Sequence, residues 1–455
     1  MHSRYNPQGE AERYINSLSP DQRTRYFILI EPGLGYMIAP LRKKVPGAKI
    51  IALHAQTAPA AAEHPQPDAR WHPNAGITLQ DFLEREIPDT AAAEIRILEW
   101  RPALALYGGA YRALVEESAA FIRQSDANLR TLNAFGRRWF RNFLKNLGII
   151  RSVLCPSPLS LPFLVAASGP SLEDAFPLIR QRRPSLFVLA VASAAMALKT
   201  AGIQPNMAIA TDGGQWAAFH LLDSFRGAGV PLAAALTAAL PSRCADLPIL
   251  PICDGSLWQT LILKELKIPF IVLPQRGTVS ASALDLAFAL TGGDIFISGL
   301  DLANSGIRTH ARPYSFDRFP EETARRVNPA YSQAYKRSSL LKEGGSFAIY
   351  ASWFEKQLAA YPRRLFSLGN NSRVFASLAE APVRPQSAAG DVSFKAATLA
   401  LEGSPSARAC AVLEKALNDP ASSAALQKEL GPLLLGRDAS LSELTEALRP
   451  LAGGR

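Results

Sequence analysis

The N-terminal part of the chain shows short apolar runs separated by a glycine turn and a helical segment. Tyr26–Ile30 and Lys49–Leu53 are the apolar runs, and Glu31-Pro32-Gly33-Leu34-Gly35-Tyr36 is the turn between them. The order strand, glycine turn, helix, strand is typical of a nucleotide-binding α/β unit. We therefore predict a Rossmann-like N-terminal domain over residues 1–125.

The next part of the chain predicts loop, strand and one long helix. Segment 58–75 is rich in proline and alanine and is expected to be loop, and 94–100 reads as a strand. A helical pattern then extends from about Ala110 to Leu147 and leads to several prolines within 156–162. We assign 126–154 to connecting helices and place a domain boundary at the prolines.

From about residue 155, apolar strands alternate regularly with helices. The predicted strands are Phe163–Ala167, Leu186–Ala192, Met207–Thr211, Leu232–Leu236, Phe270–Leu273 and Asp294–Ser298. Strands roughly 20 to 30 residues apart are typical of right-handed crossovers in a parallel sheet covered on both faces. This pattern predicts an open α/β domain over 155–375. The tail, 376–455, is rich in alanine and leucine at helical spacing and predicts a small helical region.

Composition narrows the class of protein. The chain has 455 residues, with 49 basic and 39 acidic side chains, 48% hydrophobic and 19% charged residues, which excludes an intrinsically disordered protein. The four cysteines form no CxxC pair, so we expect reduced thiols rather than a metal site. The N-terminus lacks an apolar signal region and the apolar runs contain prolines. We expect a cytoplasmic protein without a membrane span.

The densest basic segment is Arg137–Lys145, in which cations alternate with aromatic residues. Its spacing predicts one amphipathic helix, with a solvated or interdomain face favoured over an RNA-binding surface. Because no zinc-knuckle, RNP-type or helix-turn-helix signature accompanies it, we expect no nucleic-acid partner.

Candidate chemistry lies where the predicted parallel strands end, because ligands of open parallel sheets bind beyond the carboxyl ends of the strands. The first such turn is Ser168-Gly169-Pro170-Ser171. A glycine there lets backbone N–H groups approach a ligand, and the following helix N-terminus favours phosphate or carboxylate. Alternatively, Ser171 and Asp174 form a capping box, or Asp174 itself is the cap because Pro177 disfavours a helix that begins at Leu172.

Two further turns carry polar side chains. Ser193 follows the second strand, and Asp212 follows the third, beside Gly213 and Gly214. The Asp212 carboxylate could accept hydrogen bonds from a ribose, a sugar or a base, or bind a divalent ion together with diphosphate. The structural alternative is an aspartate that caps the next helix.

The fourth candidate region combines a helix start with an acid/base loop. Gly277, Thr278 and Ser280 open a helix, and the strand after that helix leads into a loop that carries Asp301, Asn304 and His310. Histidine titrates nearest neutral pH among the side chains, so His310 is a candidate general base. An ordinary surface histidine is the alternative.

The N-terminal glycine turn is a weak cofactor signature. A dinucleotide fingerprint requires a third glycine and an acidic side chain at the end of the second strand, where this chain has His54. We interpret the N-terminal domain as a mainly structural fold, with an active cofactor site as the alternative.

In this order and spacing, the pieces resemble the central domain of the motility accessory factor family, which shares that domain with 6-hydroxymethylpterin diphosphokinase-like proteins. The matching segments are Ser168–Leu172, Ala201–Pro205 leading to Asp212, Gly277–Ser280 with Ala283–Ala287, and Gly299–Ala303 with His310-Ala311. Ser3–Pro7 and Gly33–Tyr36 are similar to the N-terminal region of such proteins. The resemblance covers about residues 1–375.

The resemblance implies a sialyltransferase-like central domain in a bacterial flagellin glycosyltransferase. Such an enzyme moves a sialic-acid-like nonulosonic sugar from a CMP donor to serine or threonine of flagellin, with no tightly bound cofactor and no metal. It implies His310 and Asp301 as catalytic residues, with His310 acting as the base or as an acid that faces the phosphate, and with Asp301 and Asn304 shaping the loop. The implied nucleotide and donor contacts are Ser168, Gly169, Pro170, Ser171, Ser193, Asp212, Gly277, Thr278, Ser280 and Asn304.

Two alternatives stay open. One is diphosphate transfer from ATP to a hydroxymethylpterin, with Mg²⁺ held by Asp212 and Asp301. The other is a non-catalytic accessory protein that binds flagellin and has lost the chemistry. The sequence does not fix the oligomeric state.

Overall fold

The structure is a computed structural model that describes residues 2–19, 23–57, 66–222, 229–343, 350–351, 354, 364–369, 394–399, 401 and 403–452. The chain divides into two compact units. The first comprises 1–136 together with 431–439, and the second comprises 137–430 together with 440–455. The boundary expected at 375/376 lies outside the described residues.

The first unit is built on a parallel sheet of four strands in the order β3-β2-β1-β4. Its strands are β1 Tyr26–Ile30, β2 Lys49–Leu53, β3 Ala69–Trp71 and β4 Ile95–Glu99, and its helices before the boundary are α1 Pro7–Ser17, α2 Ile38–Lys44 and α3 Leu79–Glu86. The predictions for β1, β2 and β4 are confirmed. The expected loop 58–75 is wrong in part, because β3 pairs with β2 within it.

A helix of 46 residues, α4 Leu104–Ile149, continues from the first unit into the second. The backbone breaks at Gly108, which has a positive φ of 49°. The predicted helix from about Ala110 to Leu147 is therefore confirmed. Its last turns carry the basic and aromatic segment Arg137–Lys145.

The second unit contains a sheet of ten strands in the order β13-β12-β6-β7-β8-β9-β10-β5-β14, with β11 paired to β10. The strands are β5 Ser152–Leu154, β6 Phe163–Ala166, β7 Phe187–Val191, β8 Met207–Ala210, β9 Leu232–Ala235, β10 Pro248–Cys253, β11 Ile271–Val272, β12 Ile295–Ser298, β13 Leu365–Ser367 and β14 Ala396–Thr398. Among the strands that the structure describes in this sheet, only β14 is antiparallel, against β5. All six predicted strands are present, whereas β5, β10, β13 and β14 were not expected.

Helices cover this sheet and form the C-terminal region. They are α5 Leu172–Arg182, α6 Ala195–Thr200, α7 Phe219–Leu222, α8 Leu257–Glu265, α9 Val279–Leu290, α10 Arg318–Thr323, α11 Ala330–Glu343, α12 Pro405–Leu417, α13 Ser423–Leu435 and α14 Leu441–Ala452. The central strands are apolar throughout, as β6 and β7 show, because both faces of the sheet are buried. The predicted α/β class with parallel sheets is confirmed.

Helix α5 matches neither of the two caps considered from the sequence, the Ser171–Asp174 capping box or Asp174 itself. It begins at Leu172, directly after Ser171, and contains Pro177 in its interior. The Ser171–Asp174 capping box does not form, because Ser171 makes no side-chain cap hydrogen bond. Ser171 has another partner, described below.

No helix among the described residues is long and apolar enough to cross a lipid bilayer.

Candidate functional site

The strand order brings four of the candidate turns to one edge of the sheet. Strands β12, β6, β7 and β8 are consecutive neighbours and all parallel, so their carboxyl ends share that edge. The turn with Asp301 follows β12, the Ser168–Ser171 turn follows β6, Ser193 follows β7, and Asp212 follows β8. Polar side chains from distant parts of the sequence therefore line a single edge.

The turns after β6 and β12 are bonded directly to each other. The Gly169 N–H donates to the Gly299 carbonyl at 2.7 Å, and the Ser171 N–H donates to Asp301 Oδ2 at 2.7 Å. The Ser171 hydroxyl donates to Asp301 Oδ1. Burial raises the pKa of Asp301, and the two Ser171 hydrogen bonds oppose that rise. The carboxylate bound at the start of α5 is therefore that of Asp301, a side chain of the protein itself, and not that of a ligand. Both hydrogen-bond donors of Ser171 are used in binding it.

Two glycines permit this close approach. Gly299 has a φ of +73°, and a Cβ there would lie 2.6 Å from the Ala167 carbonyl oxygen and 2.8 Å from the Leu172 Cβ. A Cβ on Gly169 would overlap the Asp301 carboxylate and lie 2.6 Å from the Gly299 carbonyl oxygen. A side chain at either position would push the two turns apart.

The loop after Asp301 is held on α5 and α11. Glu173 accepts two hydrogen bonds of 3.1 Å from Arg308 and one of 2.9 Å from the Arg312 backbone. Asn304 Nδ2 donates to the carbonyl and the hydroxyl of Ser338. The Asn304 side chain therefore fixes the loop against α11, while its Oδ1 has no hydrogen-bond partner among the described residues.

His310 lies at the end of this loop with a defined ring orientation. Its Nδ1 lies 2.8 Å from the Thr309 hydroxyl, and its ring stacks on Tyr314 at 4.0 Å between centroids. Burial, assisted by His220 and by the charge of Arg337, lowers the pKa of His310 to about 4. At neutral pH the imidazole is uncharged and can accept a proton.

His220, on α7, is a second histidine in the same cluster and was not a candidate from the sequence. Its ring lies 5.3 Å from Tyr314 and 4.7 Å from Phe316. It is 9% exposed, and its Nδ1 has no hydrogen-bond partner among the described residues. Burial lowers its pKa to about 4, partly opposed by the charge of Asp212. The charge–charge contribution places Asp212 near His220.

Asp212 is exposed, and the backbone beside it is fixed by α4. Its Oδ1 accepts a hydrogen bond of 2.7 Å from the Gly214 N–H. Asn142 Nδ2 donates to the carbonyls of Gly213 and Thr237, and a Cβ on Gly213 would overlap the Trp139 ring. The basic segment of α4 therefore positions the turn that carries Asp212.

Aromatic side chains join the segments that follow β8 and β12. Trp216 is 56% exposed, stacks on Phe219 at 5.6 Å, and contacts Phe316 and Phe319 at 6.3 and 5.5 Å. Phe316 in turn contacts Tyr314 at 5.4 Å. A continuous row of ring contacts thus leads from the exposed Trp216 to the histidines.

The start of α9 shows the expected cap. The Thr278 hydroxyl accepts a hydrogen bond of 3.1 Å from the Ala281 N–H. A Cβ on Gly277 would lie 3.2 Å from the Tyr350 ring. Ser280 and Ser193 are partly exposed. The roles of these four residues in binding stay predictions.

The arrangement does not fit one magnesium ion shared by Asp212 and Asp301. Both oxygens of Asp301 are bonded to Ser171, beyond β6, and β8 lies two strands away, about 10 Å at the usual strand spacing. Among the described residues no group of three or more His, Cys, Asp or Glu side chains is placed to hold a metal ion.

In the first unit, the protein's own side chains fill the end of the sheet at the glycine turn. Glu31, with a φ of +48°, is 4% exposed and accepts a hydrogen bond of 2.7 Å from the Ala55 N–H. His54, which stands where a fingerprint requires an acid, lies 3.5 Å from Glu31 and is 1% exposed. A separate cavity of about 570 Å³ lies beside β4, lined in part by Tyr14, Arg96 and Trp100.

Comparisons with known proteins give three similarities. Residues 138–306 match the family described as MptE-like, 6-hydroxymethylpterin diphosphokinase MptE-like. An uncharacterized protein of Treponema pallidum (strain Nichols) is 27% identical over 279 residues, which is 61% of this chain, and the chain spans 60% of that relative's length. The structure of the MAf glycosyltransferase from Magnetospirillum magneticum AMB-1 aligns with a TM-score of 0.49 at 13% identity, over 98% of this chain and 82% of that one.

The family match covers most of the candidate turns. It includes the turns after β6, β7 and β8, the start of α9, and Asp301 and Asn304, and it ends at 306, four residues before His310.

Proposed function

We propose that the protein is a glycosyltransferase that moves a sialic-acid-like nonulosonic sugar from a CMP donor to a serine or threonine hydroxyl of flagellin. The observation that carries the proposal is the neutral, oriented imidazole of His310, whose neighbour Ala311 donates its backbone N–H to the Ser168 carbonyl in the turn after β6. The resemblance of these turns to the motility accessory factors supports the choice of donor and acceptor.

The proposed reaction is a single displacement. In the tautomer whose Nδ1–H donates to the Thr309 hydroxyl, Nε2 of His310 carries the lone pair. Nε2 takes the proton of the acceptor hydroxyl, the oxygen forms the new bond to the anomeric carbon, and the bond from that carbon to the phosphate oxygen breaks. In a single displacement the hydroxyl oxygen attacks the anomeric carbon from the side opposite CMP, so the configuration at that carbon inverts. CMP leaves with the bonding electrons, and atoms and charge balance.

The start of α9 is the proposed phosphate contact. A helix N-terminus offers free N–H groups and the positive end of its dipole, both favourable to phosphate. Thr278 already satisfies the Ala281 N–H, so the N–H groups of Val279 and Ser280 are the ones proposed for the leaving CMP. Asp212 is proposed to accept hydrogen bonds from hydroxyl groups of the donor.

Substitution of His310 tests the proposal. We expect His310→Ala to lower sugar transfer by about 10² to 10⁴, the range for loss of a general base, while CMP affinity changes only a few-fold. The measurement is CMP release and flagellin mass by mass spectrometry with purified flagellin and donor. His72→Ala, in the first unit, is the matched control, and full activity of His310→Ala would remove His310 from the mechanism.

Diphosphate transfer from ATP to a hydroxymethylpterin is the second candidate, favoured by the description of the family that matches 138–306. Calorimetry with CMP and with Mg·ATP separates the two. Tight CMP binding that is indifferent to EDTA supports the sugar transferase. Tight Mg·ATP binding that EDTA abolishes, without CMP binding, supports the diphosphokinase instead. Mass spectrometry of flagellin from cells with and without the protein then tests the acceptor.

A further inference from the structure

A small cavity beside His310 is lined by three arginines. Arg308 and Arg312 lie on the segment after β12, and Arg337 projects from α11. The cavity has a volume of about 10 Å³, which accommodates one water or one ligand oxygen. It can therefore receive a single polar group of a ligand rather than a whole molecule.

Two carboxylates, Glu173 and Asp317, contact these arginines. Glu173 is engaged by Arg308 and by the Arg312 backbone. Asp317 forms ion pairs with the other two guanidinium groups, at 3.5 Å from Arg312 and 3.9 Å from Arg337. Neither contact is a hydrogen bond. The lining of the cavity thus holds three guanidinium groups and one carboxylate, Asp317.

The other lining groups add no charge. His310 is neutral at pH 7 because burial and the charge of Arg337 lower its pKa to about 4. Burial raises the pKa of Tyr314, so its phenol is neutral as well. A cationic cavity therefore adjoins an uncharged base, and the planar guanidinium forks match the geometry of carboxylate and phosphate oxygens.

We propose that this cavity binds one monoanionic oxyanion of the donor, either the carboxylate of the sugar acid or the phosphodiester. The inference rests on the proposed function for the identity of the donor. Pairing of the oxyanion with the guanidinium groups next to His310 would seat the donor's reacting carbon beside the base.

The test is calorimetry with three probes: N-acetylneuraminic acid, its methyl ester, and CMP. We expect Arg337→Gln to weaken binding of at least one anionic probe about tenfold or more, the size of a lost charge-assisted hydrogen-bond pair. Lys336→Gln removes the same charge from the neighbouring, exposed position of α11 and should leave every affinity unchanged. The uncharged methyl ester should bind Arg337→Gln as well as it binds the wild type.

Each outcome decides the proposal. Weakening of the acid identifies the carboxylate as the bound group, and weakening of CMP identifies the phosphate. If Arg337→Gln binds both anions with unchanged affinity, the proposal that this cavity binds an oxyanion is wrong. If Arg337→Gln fails to fold, Arg312→Gln replaces it with the same expected loss.

The two proposals fail separately. His310→Ala keeps all three arginines, so it should retain oxyanion binding even though transfer is lost. If the wild type binds the acid through Arg337 but flagellin is never glycosylated, the cavity stands and the transferase proposal is wrong. If transfer proceeds and Arg337→Gln leaves the KM for the donor unchanged, the transferase stands and the cavity is wrong.

Discussion

His220 and His310 are two histidines that folding keeps neutral. Burial lowers the pKa of both to about 4, compared with 6.5 for a solvated histidine. The unfolded chain therefore binds protons more readily than the folded one, and stability rises with pH. The contribution of the two neutral histidines to the free energy of unfolding is complete above pH 6.5 and is lost progressively as the pH falls toward 4.

Replacement of His220 should make the protein less sensitive to acid. Each histidine contributes at most about 1.4 kcal/mol per pH unit within that window. His220→Phe keeps a ring in the cluster and removes one titrating group, so its melting temperature should fall less between pH 7 and pH 5 than that of the wild type. Equal falls in thermal melts would contradict the assignment, and His220→Phe with His310→Phe should flatten the dependence further.

Substitution of Gly299 tests the close contact between the turns after β6 and β12. Gly299→Ala combines an unfavourable positive φ with contacts under 3 Å to Ala167 and Leu172, so it should lower the free energy of unfolding by about 2 kcal/mol or more. Gly306→Ala is the control, because Gly306 also has a positive φ, +61°, but nothing lies within 4 Å of its Cβ position. Denaturant titration should give a loss of about 1 kcal/mol there. Equal losses at both sites would show that close packing contributes nothing.

At the scale of elements, α4 forms part of the site although it lies in sequence before the whole parallel sheet of the second unit. The Asn146 side chain is fully buried, and its Nδ2 donates to the carbonyls of Leu236 and Ala238 at 2.7 and 2.8 Å. These carbonyls follow β9, next to the turn after β8. The helix thus supplies hydrogen bonds that the sheet itself cannot provide at this edge.

Asn146→Ala should loosen that edge. Two buried carbonyls lose their donor, which should cost about 1 to 3 kcal/mol of unfolding free energy. Arg141→Ala, on the exposed face of the same helix, should stay within about 0.5 kcal/mol of the wild type. The measurement is chemical denaturation of both variants, and equal midpoints would contradict a supporting role for Asn146.

Most of the apolar runs next to a turn signal were predictable as strands, whereas β10, β13 and β14 were not. β1 and β2 match their predicted bounds, because both are apolar runs next to a turn signal, apart from Lys49 at the start of β2. β10 contains Pro248 and Pro251, which weaken a strand pattern, and β13 and β14 have three residues each. Such short segments become strands through pairing with a neighbour, which the local sequence does not encode.

The site was predictable as a set of turns but not as a network of contacts. Parallel topology alone placed Ser168–Ser171, Asp212 and Asp301 at one edge. The bond between Ser171 and Asp301 joins positions 130 residues apart, and no local pattern indicates it. His220 was missed for a similar reason: it lies on a helix of four residues, and only the fold brings it to Tyr314.

At the scale of the whole molecule, the two units use the same architecture in different ways. Both have parallel strands with turns at one edge. In the first unit a buried Glu31 and His54 fill the end of the sheet at the glycine turn, and in the second unit the equivalent edge carries partly exposed polar groups and a cavity next to His310. Sheet topology alone therefore does not make a ligand site, and the side chains at the strand ends decide.

The strand order of the second unit also has a consequence for biosynthesis. β6 lies between β7 and β12, but β12 begins 132 residues after β6 in the chain. The ribosome adds about 5 to 20 residues per second, so one edge of β6 stays unpaired for about 7 to 26 s, until β12 has been synthesised. Throughout that interval the nascent chain presents an unpaired apolar strand, to which chaperones can bind and through which the chain can aggregate.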